Sequence, residues 1–357
     1  MHTIAMDTHC TFTEYCIMSA SGRIGRQGSC ATAIPDLVEI IQTVPRPRHV
    51  VFEEGPLADW LIRNLRPHAD QVISCNPRRN HLIARDGDKD DPIDAPKLGH
   101  LYRGGFIKTV HHSESQARSI FKQHVGLYHN RVANRVRLAN RILAESRRQG
   151  VFIEEADLAS ADRRREWWKR LPSHRVLRED LKLLLAEYDL AAAHNERLKR
   201  TLVRLGKQEE VVRRFVELPG IRWIRASTFY VYVDTPWRFR SKSALWRYMG
   251  IGLQRRHSGN GPERVRVPPA VEVCRPLKSM ILGAAKSAIA AGDNPFAEQH
   301  RQWENRGVTP RNARRNVARS LAAVMWGMWK NGSAYRPEWV GVAWAALCGQ
   351  TPSKLGG

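Results

Sequence analysis

The stretch DGDKDDPIDAPK, residues 86–97, holds five aspartates in a chain whose formal net charge is +23. Asp91 and Asp94 stand three residues apart, so a helix opening here carries both on one face. Asp91 followed by Pro92 is also the pattern of a helix cap with Asp94 in the first turn, a structural role that accounts for two of the five. Elsewhere, Asp7 closes the apolar run TIAMD and Glu53 closes HVVFE. A carboxylate at the end of a buried strand is costly unless a cation or a partner neutralises it. Convergence of Asp7, Glu53, Asp91 and Asp94 would give a hard oxygen ligand set suited to Mg²⁺. Two such ions about 3.5–4 Å apart can hold the attacking and leaving oxygens of a phosphodiester.

A second candidate is Ser258 in LQRRHSGNG, beside Arg255, Arg256 and His257. A polar loop is the plain reading of that segment. The chemical reading is that neighbouring cations stabilise the charge of a phosphorane and ease ionisation of the hydroxyl, although the sequence identifies no general base. His111 and His112 are isolated and read as structural.

The elements that must position these groups follow from periodicity. TIAMD, TEYCIM and RIGR read as strands, the last two joined by a tight turn at Ser21-Gly22. DLVEIIQ then reads as a helix, HVVFEE as a strand, PLADWLIRNL as a helix, QVISC as a strand, and a helix opens near Pro92. That order predicts an α/β domain over residues 1–112.

From 113 to 206 glycine and proline become rare and the apolar spacing turns helical. Leu177, Leu181, Leu184, Tyr188, Ala191, Asn195, Leu198, Leu202 and Leu205 alternate four and three, a heptad seam with one polar position. Two long helices forming a coiled-coil stalk are predicted, with SADRRREWWKRLPSHR as the turn region at the tip. An ordinary amphipathic helix pair fits the same pattern. Asn195 favours a paired seam, because a buried amide there fixes register at a cost in stability. Residues 207–332 are predicted to form a mainly α domain, and 333–357 a tail.

The excess of Lys and Arg makes nucleic acid the leading partner class. Arg131 and Arg135 on the first long helix, Arg255 and Arg256 beside the serine, and Arg311, Arg314 and Arg315 in RNARRNVARS are candidate phosphate contacts, each also readable as a solvated face. No run of 18 apolar residues predicts a membrane span, and the start lacks the pattern of a secretory signal, so a cytoplasmic, nucleoid-associated protein is expected. The six cysteines include no CxxC pair, which argues against a zinc cage. Nothing matches a phosphate-binding GxxxxGK[ST] loop.

The order Asp7, Glu53 and Asp91-x-x-Asp94-Ala95 resembles the Asp-Glu-Asp-Asp insertion-sequence transposases, kin to the Piv DNA invertases and including recombinases guided by a bridge RNA. The resemblance continues through the stalk and through ELPGIRWIRASTFYVYV and SKSALWRYMGIGLQRRHSGNG, to about Gly332. It implies a RuvC-like, RNase H-type N-terminal domain with Mg²⁺ on the four acids, and Ser258 as a nucleophile that joins covalently to DNA. It further implies donor and target DNA as substrates, a structured noncoding guide RNA, and a dimer or tetramer assembled through the coiled coil. The chain departs from the pattern at Pro92-Ile93 and at Glu54-Gly55-Pro56, and Glu53 aligns with the motif better than Glu54. It departs also at Arg222, where the hairpin-like LPGI element expects a second glycine. Two other readings stand beside this one: a metal-dependent junction-resolving nuclease using the acids alone, and a non-catalytic RNA-binding scaffold.

Overall fold

The computed structural model describes residues 1–76, 91–256, 264–266 and 273–340, without the side chains of 91–93, 254–256 and 264–266. Ser258 and the aspartates at 86, 88 and 90 lie outside the described residues. The chain divides into two compact units, Met1–Ser119 and Ile120–Gly357.

The first unit is a mixed six-stranded sheet with helices on both faces. Its elements are β1 (His2–Thr8), β2 (Phe12–Met18), β3 (Ile24–Ala31), α1 (Ile34–Gln42), β4 (Arg48–Glu53), α2 (Ala58–Leu65), β5 (Gln71–Cys75), α3 (Asp91–Arg103) and β6 (Thr109–Val110). The strand order is β3-β2-β1-β4-β5-β6. β1, β2 and β3 form an antiparallel meander, β1, β4 and β5 run parallel, and β6 closes the edge antiparallel to β5. The predicted Ser21-Gly22 turn joins β2 to β3, where the Gly22 amide donates to Ser19 O at 2.9 Å.

Alternation along the strands divides the side chains between two cores. Ile4, Met6, Val50 and Phe52 pack with Leu37, Ile40 and Ile41 of α1 and Leu61 and Leu65 of α2. Ala5, Val51 and Cys75 point the other way, onto Leu98 of α3, and Cys16 and Met18 meet Ala95. Full burial of a side chain such as Phe52 or Met6 contributes about 1.5–3 kcal/mol each. Gly99 lets α3 lie close to the sheet: a Cβ there would stand 2.9 Å from Met18 Sδ.

The second unit is mostly helical. It contains α4 (Gln116–Arg148, whose first turn crosses the unit boundary), α5 (Glu155–Ala159), α6 (Ala161–Lys169), α7 (Arg175–Gln208), α8 (Glu210–Phe215), α9 (Trp223–Val233) and α10 (Lys242–Tyr248). A two-stranded hairpin, β7 (Gln254–Arg256) and β8 (Arg264–Arg266), precedes α11 (Arg275–Ala291), α12 (Pro295–Asn305) and α13 (Pro310–Asn331). Among the described residues no helix is long and apolar enough to cross a membrane.

The heptad seam is filled from within the chain. Leu181, Tyr188, Ala191, Asn195 and Leu202 of α7 are buried. Leu181 and Tyr188 share a core cluster with Ala139 and Ile142 of α4 and with Trp167 of α6, whereas Leu202 joins Phe121 and Val125 of α4 in the large C-terminal core. The two predicted long helices thus pair within the chain as a helical hairpin, the apolar stripe of α7 packing on α4. Asn195 is 6% exposed, and neither polar atom of its amide has a hydrogen-bond partner among the described residues.

Candidate functional site

β1 and β4 are neighbours in parallel register, and their last pair is Met6 with Phe52. The next residues, Asp7 and Glu53, therefore sit side by side in sequence register at the same end of the sheet. By alternation Asp7 shares the face of Ala5, and Glu53 that of Val51, the face that α3 covers. The first turn of α3 carries Asp91 and Asp94. Asp94 is exposed, next to the buried Ala95. Asp7 and Glu53 thus share one face of the sheet, and the helix that covers this face begins with the segment bearing Asp91 and Asp94.

The sequence reading missed a fifth acid on that face. Glu14 of β2 lies directly opposite Asp7 in the antiparallel ladder. Like charges so paired repel, and a cation relieves the repulsion. His9 lies beside this pair, its Nε2 standing 3.1 Å from Asp7 Oδ2. The donor type and the shared face fit a hard divalent cation. Among the described residues no group of three or more His, Cys, Asp or Glu is placed to hold a metal ion.

Glu54 takes part in a separate assembly. It lies one residue beyond Glu53 and shares the opposite face of the sheet, where Ser74 of β5 donates to its Oε2 at 2.5 Å. His112 stands 2.8 Å from the same oxygen through Nε2, and its Nδ1 is 2.8 Å from Asp59 Oδ1 on α2. Asp59 in turn accepts from Arg63 at 3.0 Å and from the Ser119 hydroxyl. Burial alone would push the His112 imidazole down, but bonds to Glu54 and Asp59 outweigh it and raise its pKa. Burial likewise pushes the Asp59 carboxyl up and is outweighed by Ser119, His112 and Arg63, leaving it lowered. The expectation that His112 is structural agrees with these bonds, although its sequence offered no sign of the partners. Glu54 is committed to this network and faces away from Asp7.

The predicted basic contacts separate into distinct roles. Arg131 is exposed on α4. Arg135 is not a free phosphate contact: its guanidinium donates to Tyr188 OH at 3.2 Å and pairs with Glu155 at 3.1 Å, bracing the helical hairpin. Arg255 and Arg256 lie on β7, their side chains outside the described residues. Arg311, Arg314 and Arg315 line one groove with Lys278 and Lys286 of α11, two residues that sequence reasoning passed over.

Two further contacts position the C-terminal elements. The Leu218-Pro219-Gly220-Ile221 turn is packed onto α11, where Arg225 donates to Gly220 O at 2.5 Å and to Ser287 Oγ at 2.9 Å. Gly220 has φ +77°, and a Cβ there would lie 2.3 Å from Ala284 O, so its glycine is required by packing. Arg319 of α13, only 4% exposed, donates from Nε to Ile251 O at 2.7 Å, three residues before β7. It thereby anchors the base of the hairpin whose connection includes Ser258.

No family model matches this sequence, and no curated protein matches it. Among solved structures, T. thermophilus RuvC in complex with a Holliday junction substrate is similar at a TM-score of 0.24 and 13% identity, over 31% of this chain and 99% of that one. A likeness so slight assigns nothing to this chain.

Proposed function

We propose that this chain is a metal-dependent DNA transposase or site-specific recombinase. The observation that carries the reading is the placement of Asp7 and Glu53 at the ends of adjacent parallel strands, on the face covered by the helix whose first turn bears Asp91 and Asp94. The sheet order β3-β2-β1-β4-β5, with β1 parallel to β4 and antiparallel to β2, is what sets Asp7 between Glu53 and Glu14.

In this reading Asp7, Glu53, Asp91 and Asp94 hold Mg²⁺, with Glu14 adding negative charge beside Asp7. A bound Mg²⁺ would supply charge neutralisation at a scissile phosphodiester. The chain's own residues do the rest. Arg255 and Arg256 draw the backbone toward the hairpin, and Ser258 Oγ attacks phosphorus, forming a phosphoserine ester as the bond to the leaving strand oxygen breaks. The ester keeps the energy of the broken bond, so strands can be rejoined without a nucleotide cofactor. A structured guide RNA and assembly of several copies belong to the same proposal. Because α4 fills the heptad seam, assembly would use other surface.

The test is a labelled DNA substrate incubated with Mg²⁺, denatured and resolved by size. A protein-linked species that disappears in Ser258→Ala, together with loss of all cutting in Asp7→Asn, supports the recombinase. Cutting without any linked species favours the junction-resolving nuclease. Binding without cutting, insensitive to divalent metal, favours the scaffold.

A further inference from the structure

A cationic groove on the second unit is made by two helices that pack on a common core. Lys278, Leu282 and Lys286 recur four apart along α11 and so share one of its faces. Arg311, Arg314 and Arg315 come from the first turns of α13. Between them lies an open cavity of about 480 Å³ whose apolar part is Leu282 and the backbone of Gly283. The core beneath, with Ile281, Ala284, Ala285, Val317 and Leu321 buried, holds the two walls together.

The charge on these walls is unbalanced. Among the described residues no carboxylate lines the groove. None of its five cations has an ion-pair partner among the described residues, whereas other arginines of the same unit do: Arg301 with Glu298 at 2.7 Å, and Arg214 with Glu210. Arg311 and Arg315 are also an i,i+4 pair of like charge, an arrangement that costs stability in a helix unless an anion relieves it. The first turn of α13 holds no acid, so the positive end of that helix adds to the field. One turn on, burial first and then Arg315 push the pKa of the buried Arg319 down to about 10.

We propose that this groove binds the sugar-phosphate backbone of a nucleic acid strand, with the five cations on phosphates and Leu282 and Gly283 against a sugar. An open groove walled by separated cations suits a continuous polyanion better than one small anion. The site deepens the nucleic-acid part of the proposed function and does not depend on the acidic cluster of the first unit.

The experiment measures binding of the full chain to fluorescent duplex DNA, single-stranded DNA and hairpin RNA by anisotropy across a salt series. Lys278→Ala, Lys286→Ala and Arg314→Ala combined should weaken binding at least about tenfold and lower the salt slope by about 2–3, since each lost phosphate contact removes about 0.7–0.9. Lys182→Ala, Arg197→Ala and Arg200→Ala combined remove the same charge from exposed positions on α7 and should change the slope by less than one contact's worth. Loss confined to one of the three nucleic acids supports the groove and identifies its ligand. Equal slopes in the two triple variants overturn it, because binding would then be diffuse. So does a groove variant that keeps the wild-type slope while its thermal melt shows it folded. If wild type binds none of the three, the nucleic-acid reading falls as well; if only the groove variant behaves like wild type, that reading survives.

Discussion

His112 and Glu54 meet at 2.8 Å, on the face of the sheet opposite Glu53. The bond ties the end of β4 to the segment just before α4, and through Asp59 to α2. It therefore holds the backbone from which Glu53 projects, using the neighbouring side chain rather than Glu53 itself.

Removing the imidazole leaves two carboxylates without their shared cation. His112→Ala should destabilise the first unit by about 1–3 kcal/mol, discounted for the partial exposure of Glu54 and Asp59. The pH dependence follows from the two shifts. The raised pKa of His112 makes its contribution complete below its ordinary value and lost as pH rises through the folded value. The lowered pKa of Asp59 makes its contribution present above its ordinary value and lost as pH falls through the folded value. Urea midpoints should therefore fall at both ends, and His112→Gln should flatten the alkaline limb. An unchanged alkaline limb in that variant would show that His112 is not charged in the folded protein.

Glu53→Gln and Glu54→Gln should separate catalysis from stability. The Glu53 variant is expected to lose Mg²⁺-dependent cleavage at an unchanged denaturation midpoint, because its side chain is exposed on the α3 face. The Glu54 variant should melt earlier, through loss of the His112 bond. Asp7→Asn and Asp94→Asn should behave like Glu53→Gln. A reversed pattern between positions 53 and 54 would move the metal site to the other face.

The hairpin of α4 and α7 makes a prediction about the heptad residues. Leu202→Ala removes a fully buried side chain and should cost about 2–5 kcal/mol. Leu184→Glu with Leu198→Glu should lower the helical signal on heating and leave the sedimentation coefficient of the folded protein unchanged. Smaller species in the ultracentrifuge would show that the seam joins chains. Asn195→Leu should raise stability by up to about 1–3 kcal/mol, since it removes a buried amide without a partner among the described residues.

Arg319 gives a test of the Ser258 segment from a distance. Arg319→Met keeps the apolar length of the side chain and removes the bond to Ile251 O. The protein-linked DNA species should fall several-fold while Mg²⁺-dependent contacts of the first unit, read by protection of DNA, persist. Normal amounts of linked species would mean that the hairpin base needs no anchor.

Much of the local structure was legible without coordinates. TIAMD, TEYCIM, HVVFE and QVISC are strands because apolar and β-favouring residues alternate there, and DLVEIIQ and PLADWLIRNL are helices because their apolar residues fall on one helical face. The two long helices were legible for the same reason, and so was the basic character that points to nucleic acid. β6, two residues long, was not, because so short a strand has no period to detect.

What the sequence alone determined, then, is which residues alternate, which recur every three or four, and how much charge the chain carries, all properties of neighbours along the backbone. The tertiary structure decided which face each alternation presents. Glu53 and Glu54 are adjacent carboxylates with no local difference, and only the packing of α3 on one side and of His112 on the other separates them. It also decided that α4, not another chain, fills the seam of α7, and that Lys278 and Lys286 join arginines more than twenty residues away. A period specifies a face, but what covers that face depends on burial of surfaces distant in sequence, and that free energy is set only when the whole chain has packed.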